Sequence, residues 1–393
     1  MGNDLPDDAA ADIEVSVVIC TLDEHAAIGA VLRDVGARLA HLRHEIVVVD
    51  DSRDDRTAAV VRAFAGGGRS VRLLRRQGGS GLASAAIAGW DAARGRLLAI
   101  MDGDGQHDPA LVTRMVEACA REQADVVVAS RYLESRASGL GGLRHAMSRA
   151  AVMLTHGLLG VRLADPMSGC FLMTRQWYRH VRPRLSGVGF KILVDVVASG
   201  TRRPRTAQIA TVLGERRGGR SKMSVRVALE LVMLLLEKRS GGLVPARMAM
   251  FFAVGLTGLA VHLAVVAALV YAGWPFWAGQ AAAILTAMTW NFLLNNSLTF
   301  GDRKLHGRRM LRGLLLFYLA CLGGSFINEG VALGLHALGL HWSLAALAGG
   351  GVAALWNYHA SKRTAWSAQV NRAEAVAVEE WPQPSARTEE KAA

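Results

Sequence analysis

From Val15 onward, short apolar runs alternate with longer stretches of mixed polarity. VSVVIC (15–20), EIVVVD (45–50), VRLL (71–74), LLAIMD (97–102) and DVVVAS (125–130) are nearly continuous Val, Ile and Leu. Strands of that kind are buried on both faces, as in parallel sheets. The stretches between them, roughly 25–40, 54–65, 80–94 and 109–122, have helix length. The alternation predicts a doubly wound α/β domain, Rossmann-like with a mostly parallel sheet, over 15–220. In open α/β sheets ligands bind beyond the carboxyl ends of the strands. Charged residues stand at those ends: Glu24, Asp50 and Asp51, Asp102 and Asp104, and Arg131.

The pattern then changes. Residues 202–247 are rich in arginine, and within them 225–237 is apolar but carries Arg226, Glu230 and Glu237 on one helical face. The segment 221–247 reads as an interfacial amphipathic helix and linker, with a buried core helix as the alternative. Beyond Arg247 come apolar blocks at about 249–272, 275–300, 311–338 and 343–361, each near the roughly 20 residues that cross a bilayer. The linker at 301–312 holds Arg303, Lys304, Arg308, Arg309 and Arg312, and Lys362–Arg363 follow the last block, whereas 271–275 and 336–342 have no Lys or Arg. The positive-inside rule predicts an all-α domain of four spans over 248–366, with the catalytic domain and both termini in the cytoplasm. Asn291, Asn295, Asn296, Asn328, Glu329 and Asn357 lie inside these blocks and read either as interhelical packing or as a path for a lipid-linked substrate. The acidic stretch 1–14 and the stretch 367–393 read as disordered tails. The first carries neither a secretory signal nor a complete myristoylation motif, Pro6 standing where Ser or Thr is needed.

Composition sharpens this. Half of the 393 residues are hydrophobic (51%) and 20% are charged, with a mean hydropathy of +0.24. That average joins a soluble part to a membrane part. The net charge of +12 fits nucleic acid, anionic lipid or a phosphorylated substrate. Aromatics at 6% and the lack of any nucleic-acid module argue against the first. The four cysteines show no CxxC spacing, which excludes a zinc knuckle or a disulfide framework.

Asp102-Gly103-Asp104-Gly105-Gln106 follows a strand and precedes a helix. Two carboxylates and an amide oxygen at alternate positions of one turn can converge on a hard divalent cation and a diphosphate. No P-loop occurs, and no Glu stands where an EF-hand needs it.

Taken with VSVVICTLDE, EIVVVDDSRDDRT and SRY (130–132), this turn resembles glycosyltransferase family 2. DPMSGCF (165–171), GFKILVD (189–195) and RRGGRSK (216–222) resemble the polyprenyl-phosphate branch of that family, and the terminal spans resemble a GtrA-like membrane module. The resemblance implies a GT-A catalytic domain, a nucleotide-sugar donor, Mg²⁺ or Mn²⁺, and a polyprenyl-phosphate acceptor. It implies that Glu24, Val49 and Asp51, with Cys20 and Leu22 of the first motif, hold the base and ribose. Asp102 and Gly103 would flank the diphosphate, Asp104 and Gln106 would bind the metal, and Lys191, Arg216 and Lys222 would hold donor phosphates and sugar. Arg131, Arg144 and Ser148 would take the acceptor phosphate, making Asp102, Asp104 and Arg131 the candidate catalytic residues. Cys20, Leu22 and Asp23 stand where the family usually has Pro, Tyr and Asn, so the nucleotide is left open.

The implied reaction is inverting transfer of a hexose, mannose from GDP-mannose first and glucose or another sugar from a UDP donor second. A lipid phosphate is largely dianionic at neutral pH and needs no strong base, consistent with the lack of any Ser-His-Asp or Cys-His constellation. His107 is the one tempting base. A processive polysaccharide synthase would carry QxxRW, which is missing. A non-catalytic role in moving lipid-linked sugars is opposed by the intact DGDGQ and RSK residues.

Overall fold

The computed structural model describes residues 13–66, 70–76, 81–133, 157, 163–187, 191–212, 214, 225–367 and 377–379. They form two compact units, one holding residues up to Arg239 together with the chain after Arg372, the other Ser240–Arg372.

In the first unit the five runs read from the sequence are strands β1 (Val15–Thr21), β2 (His44–Asp50), β3 (Val71–Arg75), β4 (Leu97–Asp102) and β5 (Val126–Ser130). Helices α1 (Ile28–Arg38), α2 (Arg56–Ala65), α3 (Leu82–Ala92) and α4 (Ala110–Glu122) connect them. β1 pairs in parallel with both β2 and β4, and β2 pairs in parallel with β3. Side chains alternate between two cores. Val15, Val17 and Ile19 of β1 pack with α1, α2 and α4, whereas Val18 packs with α3. Such two-sided burial is why the strands read as unbroken apolar runs.

Two strands within the predicted α/β domain were not foreseen. β6 (Phe171–Thr174) runs antiparallel between β4 and β5, and β7 (Thr206–Ala210) extends β5 in parallel. With short helices α5 (Arg175–Val181) and α6 (Ile192–Ala198), they complete the second face. Helix α7 (Val225–Arg239) belongs to this unit. Its Leu234 and Leu235 are buried against Val194, with Met167 packed beside them. Lys238 Nζ lies 2.6 Å from Asp195 Oδ1, with both side chains buried. At least this end of the helix is docked on the protein, in line with the core-helix alternative, because a buried carboxylate holds its lysine. Within the stretch read as a disordered tail, β8 (Ala377–Glu379) pairs antiparallel with β3 and covers that edge. The sheet order is β7-β5-β6-β4-β1-β2-β3-β8. Residues 1–12 of the acidic tail lie outside the described residues.

The second unit is helical: α8 (Ala246–Tyr271), α9 (Phe276–Leu294), α10 (Gly307–Ala337) and α11 (Trp342–Arg363). They match the four apolar blocks. By length and composition α8 and α10 can cross a bilayer, at mean hydropathies of 2.2 and 1.7. Asn291 and Asn357 pack against Gly258 and Gly324 of the preceding helices, and Asn328 against Gly349 of α11. These three amides therefore sit at interhelical contacts, where glycine lets backbones approach.

Candidate active site

Chain order reverses at β1, which has β2 on one side and β4 on the other. The crevice beyond the carboxyl ends of β1 and β4 is where such sheets take ligands, and the Asp102–Gln106 turn is built there. Gly103 fits because a Cβ would stand 3.1 Å from Thr21 Cγ2 and 3.3 Å from Ile19 Cγ2. Gly105 supplies a φ of 75°, which glycine adopts without steric cost. Asp104 is buried, and its Oδ1 accepts from the Gln106 amide at 3.1 Å. The Gln106 side chain donates to Gly214 O at 3.2 Å, pinning the turn to the chain after β7. Asp102 keeps 41% of its side chain exposed, and His107 Nε2 lies 3.6 Å from its Oδ2. The Nδ1 atom of His107 is buried without a hydrogen-bond partner. Gly169, from DPMSGCF, is packed against the Asp102 carboxylate so closely that a Cβ would collide with it.

The β1 and β2 ends are tied together. Asp23 has a φ of 60°, and its amide donates to Ser52 Oγ at 2.9 Å. Ser52 and Thr21 hydroxyls donate to Asp50 Oδ1 at 2.6 and 3.0 Å. Asp51 is clamped by Arg76, Nε to Oδ1 at 2.8 Å and Nη2 to Oδ2 at 2.6 Å. Arg76 was missed from the sequence, although it too follows a strand. Burial, then the Asp51 and Asp102 charges, push the Cys20 thiol well up, so it stays protonated. Leu22 is exposed and Glu24 half-buried. Val49 has no exposed surface, and its side chain lies in the core with Val18 and Leu74. Its side chain lies on the sheet face that α3 covers.

At the end of β5, Arg131 is held by Asp165, Nε to Oδ2 at 2.6 Å and Nη2 to Oδ1 at 2.9 Å. Asp165 is fully buried. Burial works against the guanidinium charge, yet the hydrogen bond and charge of Asp165 hold its pKa above the usual value. Asp165 and Gly169 were quoted only as part of a motif, and the structure gives each a partner. Lys191 caps the start of α6. Arg144, Ser148, Arg216 and Lys222 lie outside the described residues.

Among the described residues, no three His, Cys, Asp or Glu side chains group closely enough to cage a metal. The donor set, carboxylates of Asp102 and Asp104 with the Gln106 amide, suits instead a cation that keeps part of its shell for substrate phosphates. The residues present fit Mg²⁺ or Mn²⁺ in that manner.

Two family models match the chain, glycosyl transferase family 2 over residues 16–182 and the GtrA/DPMS transmembrane domain over 250–366. A dolichol-phosphate mannosyltransferase of Pyrococcus furiosus is 30% identical over 342 residues, covering 86% of this chain and 95% of that one. The chain belongs to glycosyltransferase family 2. Further members include a dodecaprenyl-phosphate galacturonate synthase of Rhizobium johnstonii, 31% identical over 68% of this chain and 78% of that one. The dolichol-phosphate mannosyltransferase of Saccharomyces cerevisiae is 31% identical over 49% and 73%. This glycosyltransferase is a membrane protein, its second unit being the matched transmembrane domain.

Proposed function

We propose that the enzyme transfers a hexose, mannose from GDP-mannose first, to the phosphate of a polyprenyl lipid, with inversion at the anomeric carbon. One observation supports this above the others. The Asp102–Gln106 turn, the Asp51–Arg76 pair and the Arg131–Asp165 pair stand at the carboxyl ends of strands in one sheet. Relatives of similar identity share a polyprenyl-type phosphate in their names and differ in the sugar.

Asp51, squared by Arg76, receives the ribose. Asp104 and Gln106, with Asp102 beside them, would hold Mg²⁺ or Mn²⁺ at the diphosphate end of the donor. When bound, the ion offsets charge on the departing diphosphate. Arg131 reaches the acceptor phosphate with its plane already fixed by Asp165, so little orientation is lost on binding. The acceptor oxygen attacks as it stands, and no residue must take a proton from it. His107 lies beside the Asp102 carboxylate, its Nε2 3.6 Å away, and takes no part in the transfer. Helices α8–α11 cross the membrane four times with the basic 301–312 linker and both termini in the cytoplasm.

The test is a panel of radiolabelled nucleotide sugars with membranes and polyprenyl phosphate. Mannose should transfer from GDP-mannose and stop in EDTA, and Asp104→Ala should cost about 100-fold. Transfer only from a UDP-sugar overturns the donor, full activity in EDTA overturns the metal, and no transfer from any donor overturns the reading.

A further inference from the structure

The second unit repeats itself. Phe251 and Phe317 are 66 residues apart, and the same step carries Gly258 to Gly324, Gly273 to Gly339, Trp290 to Trp356 and Asn291 to Asn357. Helix ends obey it: α8 stops at Tyr271 and α10 at Ala337, α9 starts at Phe276 and α11 at Trp342. The turns between them are superposable bond for bond. Ala272, Gly273 and Trp274 amides donate to the carbonyls of Ala268, Val270 and Leu269, and Leu338, Gly339 and Leu340 to those of Gly334, His336 and Leu335. The two turn glycines have φ of 86° and 91°.

Side chains follow the same register. Asn291 lies on Gly258 as Asn357 lies on Gly324. Trp356 Nε1 donates to Ala320 O at 3.1 Å. In the first hairpin Trp290 Nε1 donates to Thr257 Oγ1 at 3.0 Å, which donates to Val254 O at 2.7 Å. Val254 is the counterpart of Ala320, and Thr257 that of Gly323, against which the Trp356 indole packs directly. Both second helices finish with a widened turn, Phe300 N to Asn295 O at 2.8 Å and Trp366 N to Ser361 O at 3.0 Å.

The contacts between hairpins are the strongest sign, because they come in exchanged pairs. Phe251 meets Tyr358 with ring centroids 5.6 Å apart, and the exchanged pair Phe317 and Phe292 meets at 5.8 Å. Phe300 and Trp366, counterparts of one another, stack at 4.4 Å and 9°. A residue that stacks on its own counterpart lies on a two-fold axis.

We infer that the membrane domain is a tandem duplication of one helical hairpin with a 66-residue period, its two copies packed about a pseudo-two-fold axis through the Phe300–Trp366 stack. Each copy holds two helices, so both copies enter from the same side and the axis runs along the membrane normal. This last step rests on the four-span reading; the duplication itself does not. The sites where the copies differ then mark specialisation of the second hairpin, chiefly Asn328-Glu329 where the first has His262-Leu263.

Two full-length chimaeras test it, made after the four native cysteines are replaced by serine. One carries the sequence of 312–366 in place of 246–300. The other carries 314–368 there, the same hairpin two residues out of register, which turns each helix face by roughly 200°. Each receives a cysteine at position 251 and Tyr358→Cys, and oxidative cross-linking is followed in membranes. The in-register chimaera should accumulate and cross-link like the parent carrying the same cysteine pair. The shifted one should cross-link at least about tenfold more slowly, since Cα atoms beyond about 7 Å cannot be bridged. Equal behaviour of the two chimaeras, whether both cross-link or both fail to accumulate, overturns the duplication. Impermeant maleimide labelling of Tyr271→Cys and Ala337→Cys on intact cells reads topology separately. Opposite accessibility overturns the same-side entry and the four-span reading, and leaves the chimaera result standing.

Discussion

Gly169→Ala isolates the candidate chemistry from the fold. A methyl group at 169 would run into the Asp102 carboxylate. That carboxylate is the far end of a side chain with 41% exposure, so it can turn aside. An off-rotamer side chain costs about 0.5–1.5 kcal/mol, and the backbone on either side need not move. Stability should therefore fall by no more than about 1.5 kcal/mol, in the lower half of the 1–3 kcal/mol typical of an overpacked core. Activity should fall further. A catalytic group displaced by about 1 Å can cost on the order of 100-fold, and Asp102 moves by at least that much if it yields the space. The assay is kcat/KM for sugar transfer from the nucleotide donor, read beside the thermal unfolding midpoint in detergent. Unchanged kcat/KM refutes a role for Asp102 at the diphosphate. A loss of stability of core-mutation size would instead make Gly169 a packing residue.

Three further outcomes are expected. Lys238→Met leaves Asp195 buried with Ser186 and Ser199 as its donors among the described residues and should cost about 3 kcal/mol of stability; adding Asp195→Asn should recover most of it in the same thermal assay. Arg76→Met frees Asp51 and should raise the donor KM about tenfold with kcat retained, the mark of lost ground-state binding, as initial rates against donor concentration will show. Asp125 accepts from the Arg202 side chain and the Arg205 amide, which outweigh burial and hold its carboxyl below the usual range. Its contribution is complete above the ordinary carboxylate range and fades as pH falls through the lowered folded value. Asp125→Asn should flatten that acid limb in pH-dependent melts.

The sheet was legible because β1 to β5 are largely apolar runs, and their limits fall within a residue of the reading. β6 and β7 escaped for physical reasons. FLMT is four residues long, and TAQIA carries Gln208 on a half-exposed strand, so neither has the signature of a strand buried on both faces. The acidic strand ends announced the crevice, but their partners did not. Arg76 reaches Asp51 across 25 residues and Asp165 reaches Arg131 across 34, and spacing along a chain carries no trace of such pairings. Val49 was carried by resemblance, and spacing alone did not show that its side chain is wholly buried. The duplicated hairpin went unread since apolar residues exchange freely in lipid-facing helices, leaving only a few glycines, aromatics and asparagines to keep the register.

The position of β8 makes the catalytic unit discontinuous in sequence. Its first seven strands end at Ala210, and the strand that covers the edge of β3 begins at Ala377. The whole helical second unit is synthesised between the two. At 5–20 residues per second, the β3 edge emerges and waits roughly 15 to 60 seconds for its last neighbour. During that interval its unpaired amides and carbonyls are open to other chains. Truncation anywhere before 377 would make that newborn condition permanent, so the far end of the chain acts on the solubility of a domain whose other strands are made long before it.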